Sequence, residues 1–210
     1  TVLTGMPVRP AIAALAGEGW TAPTEDIALL VWGGSLGARV FSDVVPAAVA
    51  LLPEAIRARL IITQQARADD VSTVRAVYEQ ACVRARVESF LHDVPDPLRP
   101  AHLVIGRAGG SSVAEITTAG RPAVLVPLPI AASDEQTENA RAMTDAEAGW
   151  MLRQADFTPR ALAGLLGELF DANSGFASLS NAAALSATLR SEEHTLNSSH
   201  VASSRMSSSA

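Results

Sequence analysis

Six short apolar runs, separated by stretches with a helical period, constrain this chain more than any other feature. Ile27 to Trp32, Arg59 to Thr63, Ala85 to Glu88, Leu103 to Ile105, Ala123 to Val126 and Trp150 to Leu152 have the length and residue types of strands. Between the first two, Phe41, Val44, Val45, Ala48, Val49 and Leu52 recur at the spacing of one helix face. Pro46 falls inside that stripe and weakens it, because proline removes a backbone donor. Val71, Val74, Val77 (or Tyr78) and Ala81 form a second stripe, and Leu162, Leu165, Leu166 and Leu169 a third. Thr158 and Pro159 supply the third with an N-cap and a first-turn proline. Strands and helices alternating in this way predict an α/β fold, a Rossmann-like doubly wound parallel sheet. Ligands of such sheets bind beyond the carboxyl ends of the strands, so the segments that follow the strands are the ones to search for function.

Composition agrees with that class. In a chain of 210 residues, 48% hydrophobic but only 4% aromatic, the core must be built from Ala, Val, Leu and Ile, which suits a parallel sheet covered by helices. The length is that of one full domain, expected over residues 1–189. A net charge of −6 with scattered arginines argues against a nucleic-acid partner, which needs clustered cations. The single cysteine, Cys82, reads as a small packing residue on a helix, and a cytosolic setting is the default. No apolar run approaches the ~20 residues of a membrane span. Thr1 to Pro10 reads as the middle of a protein rather than its start, so an N-terminal part is expected to be missing. Residues 190–210 are Ser-rich and carry no structural period, and RSEEHT is similar to a translated sequencing adapter. A disordered, non-native tail is expected there, and His194 and His200 are set aside with it.

Three post-strand segments carry chemistry. Gly33-Gly34-Ser35-Leu36-Gly37-Ala38 lies between a strand and a helix, where glycines allow close approach and free N–H groups attract an anion. A plain tight connection is the alternative. A Walker loop is excluded because Ala38-Arg39 follows the last glycine instead of Lys-Ser/Thr. A dinucleotide fold would end the next strand on an acidic residue, but that strand ends Ile61-Ile62-Thr63-Gln64. Arg107-Ala108-Gly109-Gly110-Ser111-Ser112-Val113-Ala114-Glu115 repeats the strand-to-helix pattern. Its Glu115 is either the end of a capping box, Ser112-x-x-Glu115, or a carboxylate that accepts the two hydroxyls of a ribose. In Pro127 to Ala140, Asp134, Glu135, Gln136 and Asn139 crowd a helix start, either as a second box from Ser133 to Gln136 or as a bracket for sugar hydroxyls. Phe90-Leu91 can present a backbone edge to a base, or simply belong to the core. His92 and His102 lack partners at metal-ligand spacing and read as ordinary hydrogen-bonding residues, so neither a metal nor a cofactor is expected.

Taken in order, TGMPVRP at Thr4, GGSLGA at Gly33, SFLHD at Ser89, RAGGSSVAE at Arg107 and PLPIAASDEQTENA at Pro127 resemble the C-terminal domain of the MurG family. These are peptidoglycan glycosyltransferases of the GT-B fold. The resemblance runs from Thr1 to about Arg190. It implies transfer of GlcNAc from UDP-GlcNAc to lipid I, giving lipid II, on the cytoplasmic face of the inner membrane. It further implies that Arg9, Gly34 and Ser35 hold the diphosphate, and that Phe90 and Leu91 receive uracil. Gly110, Ser111 and Ser112 would line the diphosphate and ribose, Glu115 would take the ribose hydroxyls, and Glu135 and Gln136 would reach GlcNAc. No catalytic residue is expected in this half, because the family's proposed base, lipid I site and membrane-facing patch belong to the N-terminal domain. Three positions depart from the family pattern: Met6 for Asn, Leu36 for Gln, and Glu135 for His or Gln. Another UDP-sugar enzyme of the same fold, such as an epimerase or a glycolipid transferase, and a non-catalytic nucleotide-sugar-binding module are the competing readings.

Overall fold

The computed structural model describes residues 7–33, 39–129, 134–171 and 174–189. Six parallel strands form one sheet in the order β3-β2-β1-β4-β5-β6. They are β1 (Ile27–Trp32), β2 (Leu60–Gln65), β3 (Arg84–Glu88), β4 (Leu103–Gly106), β5 (Ala123–Leu125) and β6 (Gly149–Met151). All six expected strands are present, with ends moved by one or two residues. The order reverses between β1 and β4, where Trp32 pairs with Gly106 at the carboxyl end. A Cβ on Gly106 would lie 2.9 Å from the Trp32 carbonyl oxygen, so the closest approach at this switch point requires glycine.

Alternation within β1 explains why its sequence is apolar throughout. Ile27, Leu29 and Val31 face one helical layer, and Leu30 and Trp32 the other. On the first face pack α2 (Arg39–Ala50), α4 (Val71–Gln80) and α8 (Pro159–Leu169), the three helices expected from the stripes. Pro46 is buried inside α2, and the helix runs through it. Packing of Phe41, Val45 and Val49 against the sheet outweighs the lost backbone bond. Thr158 caps α8 as expected, its side-chain oxygen accepting from Ala161 N at 3.2 Å. The second face carries α1 (Pro10–Ala13), α5 (Pro95–Leu98), α6 (Gly110–Thr118) and α7 (Glu135–Asp145). The short α3 (Glu54–Arg57) precedes β2, and residues 175–189 form a further helical stretch.

One sequence expectation and the two capping-box alternatives need correction. Cys82 is not on a helix: it is exposed in the turn after α4, with φ of 55°. Glu115 does not close a capping box either. The N-cap of α6 is Gly109, so Ser112 already lies within the helix and Glu115 is a buried mid-helix residue. Likewise α7 is preceded by Asp134 as N-cap, and Ser133 lies outside the described residues.

Candidate functional site

The crevice at the β1/β4 switch point is where a doubly wound sheet receives a ligand. Gly33 leaves β1 on one side of it; the motif positions Gly34, Ser35 and Leu36 lie outside the described residues, as does Met6. The other side is formed by α6. Its N-cap Gly109 is extended at φ −64° and ψ 142°, and the first-turn N–H groups of Gly110, Ser111 and Ser112 have no carbonyl preceding them in the helix. Ser111 is exposed and Ser112 half-buried, and neither hydroxyl is engaged among the described residues. That combination of unpaired donors and helix dipole suits an anion.

Glu115 lies behind this helix start, 5% exposed. An ionised carboxylate at that depth needs a partner, since desolvation costs several kcal/mol. Arg9 provides it with two bonds: Nε donates to one carboxylate oxygen at 2.6 Å and Nη2 to the other at 2.7 Å. The pairing raises the Arg9 pKa above its ordinary value, against the lowering effect of burial, and the Asp93 carboxylate adds to it. The Arg9 guanidinium carbon also stands 5.8 Å from the centre of the Trp32 ring. The two residues that the motifs assign to diphosphate and ribose therefore hold each other.

Leu91 joins the same region because the chain leaving β3 crosses to the second face, where its side chain is buried in the cluster that contains Trp32 and Ile116. Its backbone N–H and C=O make no hydrogen bond among the described residues. Phe90 is half-exposed and meets the His92 ring edge-on at 4.9 Å between centroids. At the β5 exit, Glu135 is exposed, and the Gln136 Oε1 accepts from Leu128 N at 3.0 Å. Asn139 Nδ2 donates to the Ala108 carbonyl at 2.9 Å and ties α7 to the β4–α6 turn.

Sequence reasoning left Arg107 without a role. Its guanidinium donates to the Val126 carbonyl at 3.0 Å and to Gln154 Oε1 at 2.7 Å, and lies over the Phe41 ring at 5.3 Å. It braces the exits of β4, β5 and β6 against one another. Burial lowers its pKa from the ordinary arginine value, but a guanidinium keeps its charge in proteins. Its position at the head of the second glycine motif was the available signal. Gln64, at the β2 end where a dinucleotide fold has its acidic residue, is fully buried and accepts from Tyr78 Oη at 2.5 Å, so it serves the core. His102 is half-buried at the amino edge, far from these exits, where its Nδ1 accepts from Ala28 N at 2.8 Å. Among the described residues no cluster of side chains suits a metal ion.

A parallel sheet in this strand order, with a glycine-led helix at its switch point, defines a Rossmann-like domain of the kind found in GT-B glycosyltransferases. The chain belongs to glycosyltransferase family 28: the model of that family's C-terminal domain matches residues 28–194. It is 59% identical over 170 residues to the UDP-N-acetylglucosamine--N-acetylmuramyl-(pentapeptide) pyrophosphoryl-undecaprenol N-acetylglucosamine transferase of Gluconobacter oxydans, covering 81% of this chain and 47% of that protein. The protein of the same name from Granulibacter bethesdensis is 57% identical over 174 residues, covering 80% of this chain and 45% of that protein. The chain thus spans about half the length of the curated relatives it matches. Among solved structures, MurG of Acinetobacter baumannii superposes with a TM-score of 0.70 at 30% identity, covering 84% of this chain and 53% of that one. The lipopolysaccharide glycosyltransferase WaaG, at 24% identity and a TM-score of 0.58, shares the fold.

Proposed function

We propose that this chain is the donor-binding half of an inverting glycosyltransferase that moves GlcNAc from UDP-GlcNAc to lipid I, making lipid II for peptidoglycan. The observation that carries the reading is the buried Glu115 carboxylate beside the open N-terminus of α6 at the switch point, in a chain more than half identical to transferases of that name. A nucleotide diphosphate sugar fits these groups in order. The donors of Gly110, Ser111 and Ser112, with the glycine segment after β1, receive the diphosphate. The two oxygens of Glu115 accept the vicinal ribose hydroxyls, and the unengaged backbone of Leu91, with Phe90 beside it, faces the uracil edge. Glu135 and Gln136, at the start of α7, are left for the sugar.

Inverting transfer requires a base for the acceptor hydroxyl and donors that stabilise the departing UDP. The residues of this half serve the second requirement. The base, the lipid I contacts and the attachment to the cytoplasmic face of the membrane are assigned to the rest of the parent protein. No helix among the described residues is long and apolar enough to cross a membrane. The 210-residue chain is expected to bind UDP-GlcNAc without turning it over. Calorimetric titration with UDP-GlcNAc tests this: saturable binding is expected, weakened about tenfold by Glu115→Ala, the cost of losing hydrogen bonds to a charged acceptor. Absence of binding at millimolar ligand, or equal affinity in the variant, would refute the site.

A further inference from the structure

The Arg9–Glu115 pair has a geometry that bears on how a ligand enters. Both carboxylate oxygens of Glu115 are taken, one by Nε and one by Nη2 of a single guanidinium. A ribose offers the same thing, two adjacent donors on neighbouring atoms, to the same two oxygens. Each oxygen keeps a further lone pair, but with the side chain only 7% exposed those lone pairs have little open surface while Arg9 is in place. The arginine side chain is 47% exposed, so it can leave with little loss of burial. We propose that Arg9 is an internal occupant of the ribose subsite, and that a nucleoside binds by exchanging its two sugar hydroxyls for the Arg9 guanidinium on Glu115. This rests on the reading of Glu115 as the ribose ligand.

The exchange has an energetic logic. Without a partner, the buried carboxylate would destabilise the domain, and Arg9 removes that cost. The start of α6 lies about 7 Å along the helix from Glu115, so an incoming diphosphate can take up the released charge. A neutral nucleoside gets no such compensation. Uridine should therefore bind the native chain poorly, and UDP disproportionately well.

Affinities of uridine and UDP, measured by calorimetry on the 210-residue chain, separate the outcomes. Arg9→Met removes the competitor and keeps an apolar stem. Uridine is expected to bind about three- to tenfold tighter, the scale of a half-exposed ion pair, while UDP gains nothing or weakens. Adding Glu115→Gln to Arg9→Met should erase the gain. Raising salt from about 0.02 to about 0.5 M should strengthen uridine binding to the native chain by screening the pair, and leave Arg9→Met flat. The salt series needs no variant, so it stands even if Arg9→Met folds poorly. Equal or weaker uridine binding by folded Arg9→Met, or a flat salt series for the native chain, would overturn the exchange. Loss of UDP binding on Glu115→Gln with no uridine gain on Arg9→Met would sink the exchange alone. Indifference of UDP binding to Glu115→Gln would sink the ribose assignment beneath it.

Discussion

The two edges of the sheet are built from similar residues and treat them differently. At the amino edge most polar groups are consumed locally, although the buried Arg121 Nε has no partner among the described residues. Ala28 N–H donates to His102, Trp20 Nε1 donates to the His102 carbonyl at 3.1 Å, Arg121 donates to the Gly19 carbonyl at 2.8 Å, and Ser186 Oγ donates to the Arg121 carbonyl. At the carboxyl edge, among the described residues, the hydroxyls of Ser111 and Ser112 and the backbone of Leu91 are unengaged, and the buried Glu115 is paired with a half-exposed arginine. On the proposed function the amino edge is scaffold, and the carboxyl edge is where the nucleotide sugar would complete the hydrogen bonding.

Perturbing each edge separately should pull stability and binding apart. The largest effect is expected from Leu103→Ala, which empties a fully buried position at the amino end of β4. It should cost about 3 kcal/mol in denaturant unfolding and leave UDP affinity unchanged where the variant remains folded. Arg107→Met comes next. It cuts the brace between the strand exits and should lower stability by about 1.5 kcal/mol while weakening UDP binding several-fold, because the α6 and α7 starts lose their common anchor. A stability loss without any change in affinity would show that the brace is scaffold too.

The smallest effect is expected at His102. Burial, with the charges of Arg121 and Arg59, holds its pKa below the ordinary 6.5, so the unfolded chain takes up a proton more readily than the folded one. The folded state is unpenalised above pH 6.5 and loses stability as pH falls through that value. His102→Asn keeps an acceptor for Ala28 N–H, and should flatten that part of a stability-against-pH curve without touching nucleotide affinity.

Much of this contrast was legible in the chain. Short apolar runs and period-3.6 stripes are local, so the six strands and the helices α2, α4 and α8 could be read directly, whereas the strand order that sets the switch point came from the structure. The fate of Glu115 could not be read that way. Ser112-x-x-Glu115 satisfies the local rule for a cap, and what overrides it is a partner 106 residues away that makes burial of the carboxylate tolerable. The Arg107–Gln154 brace was hidden for the same reason, since its ends are 47 residues apart and Gln154 belongs to no local motif. The first glycine turn, strongest in sequence, adds least here because Gly34 to Ala38 lie outside the described residues.

The most direct measurement of the difference between the edges is a map of backbone amide chemical shifts as UDP-GlcNAc is titrated into the isotopically labelled chain. The account predicts large, saturable shifts at Leu91, Gly109 to Ser112 and Glu115, with Gly19, Trp20, His102 and Arg121 silent. Shifts centred on the amino edge, or spread evenly over both, would contradict it.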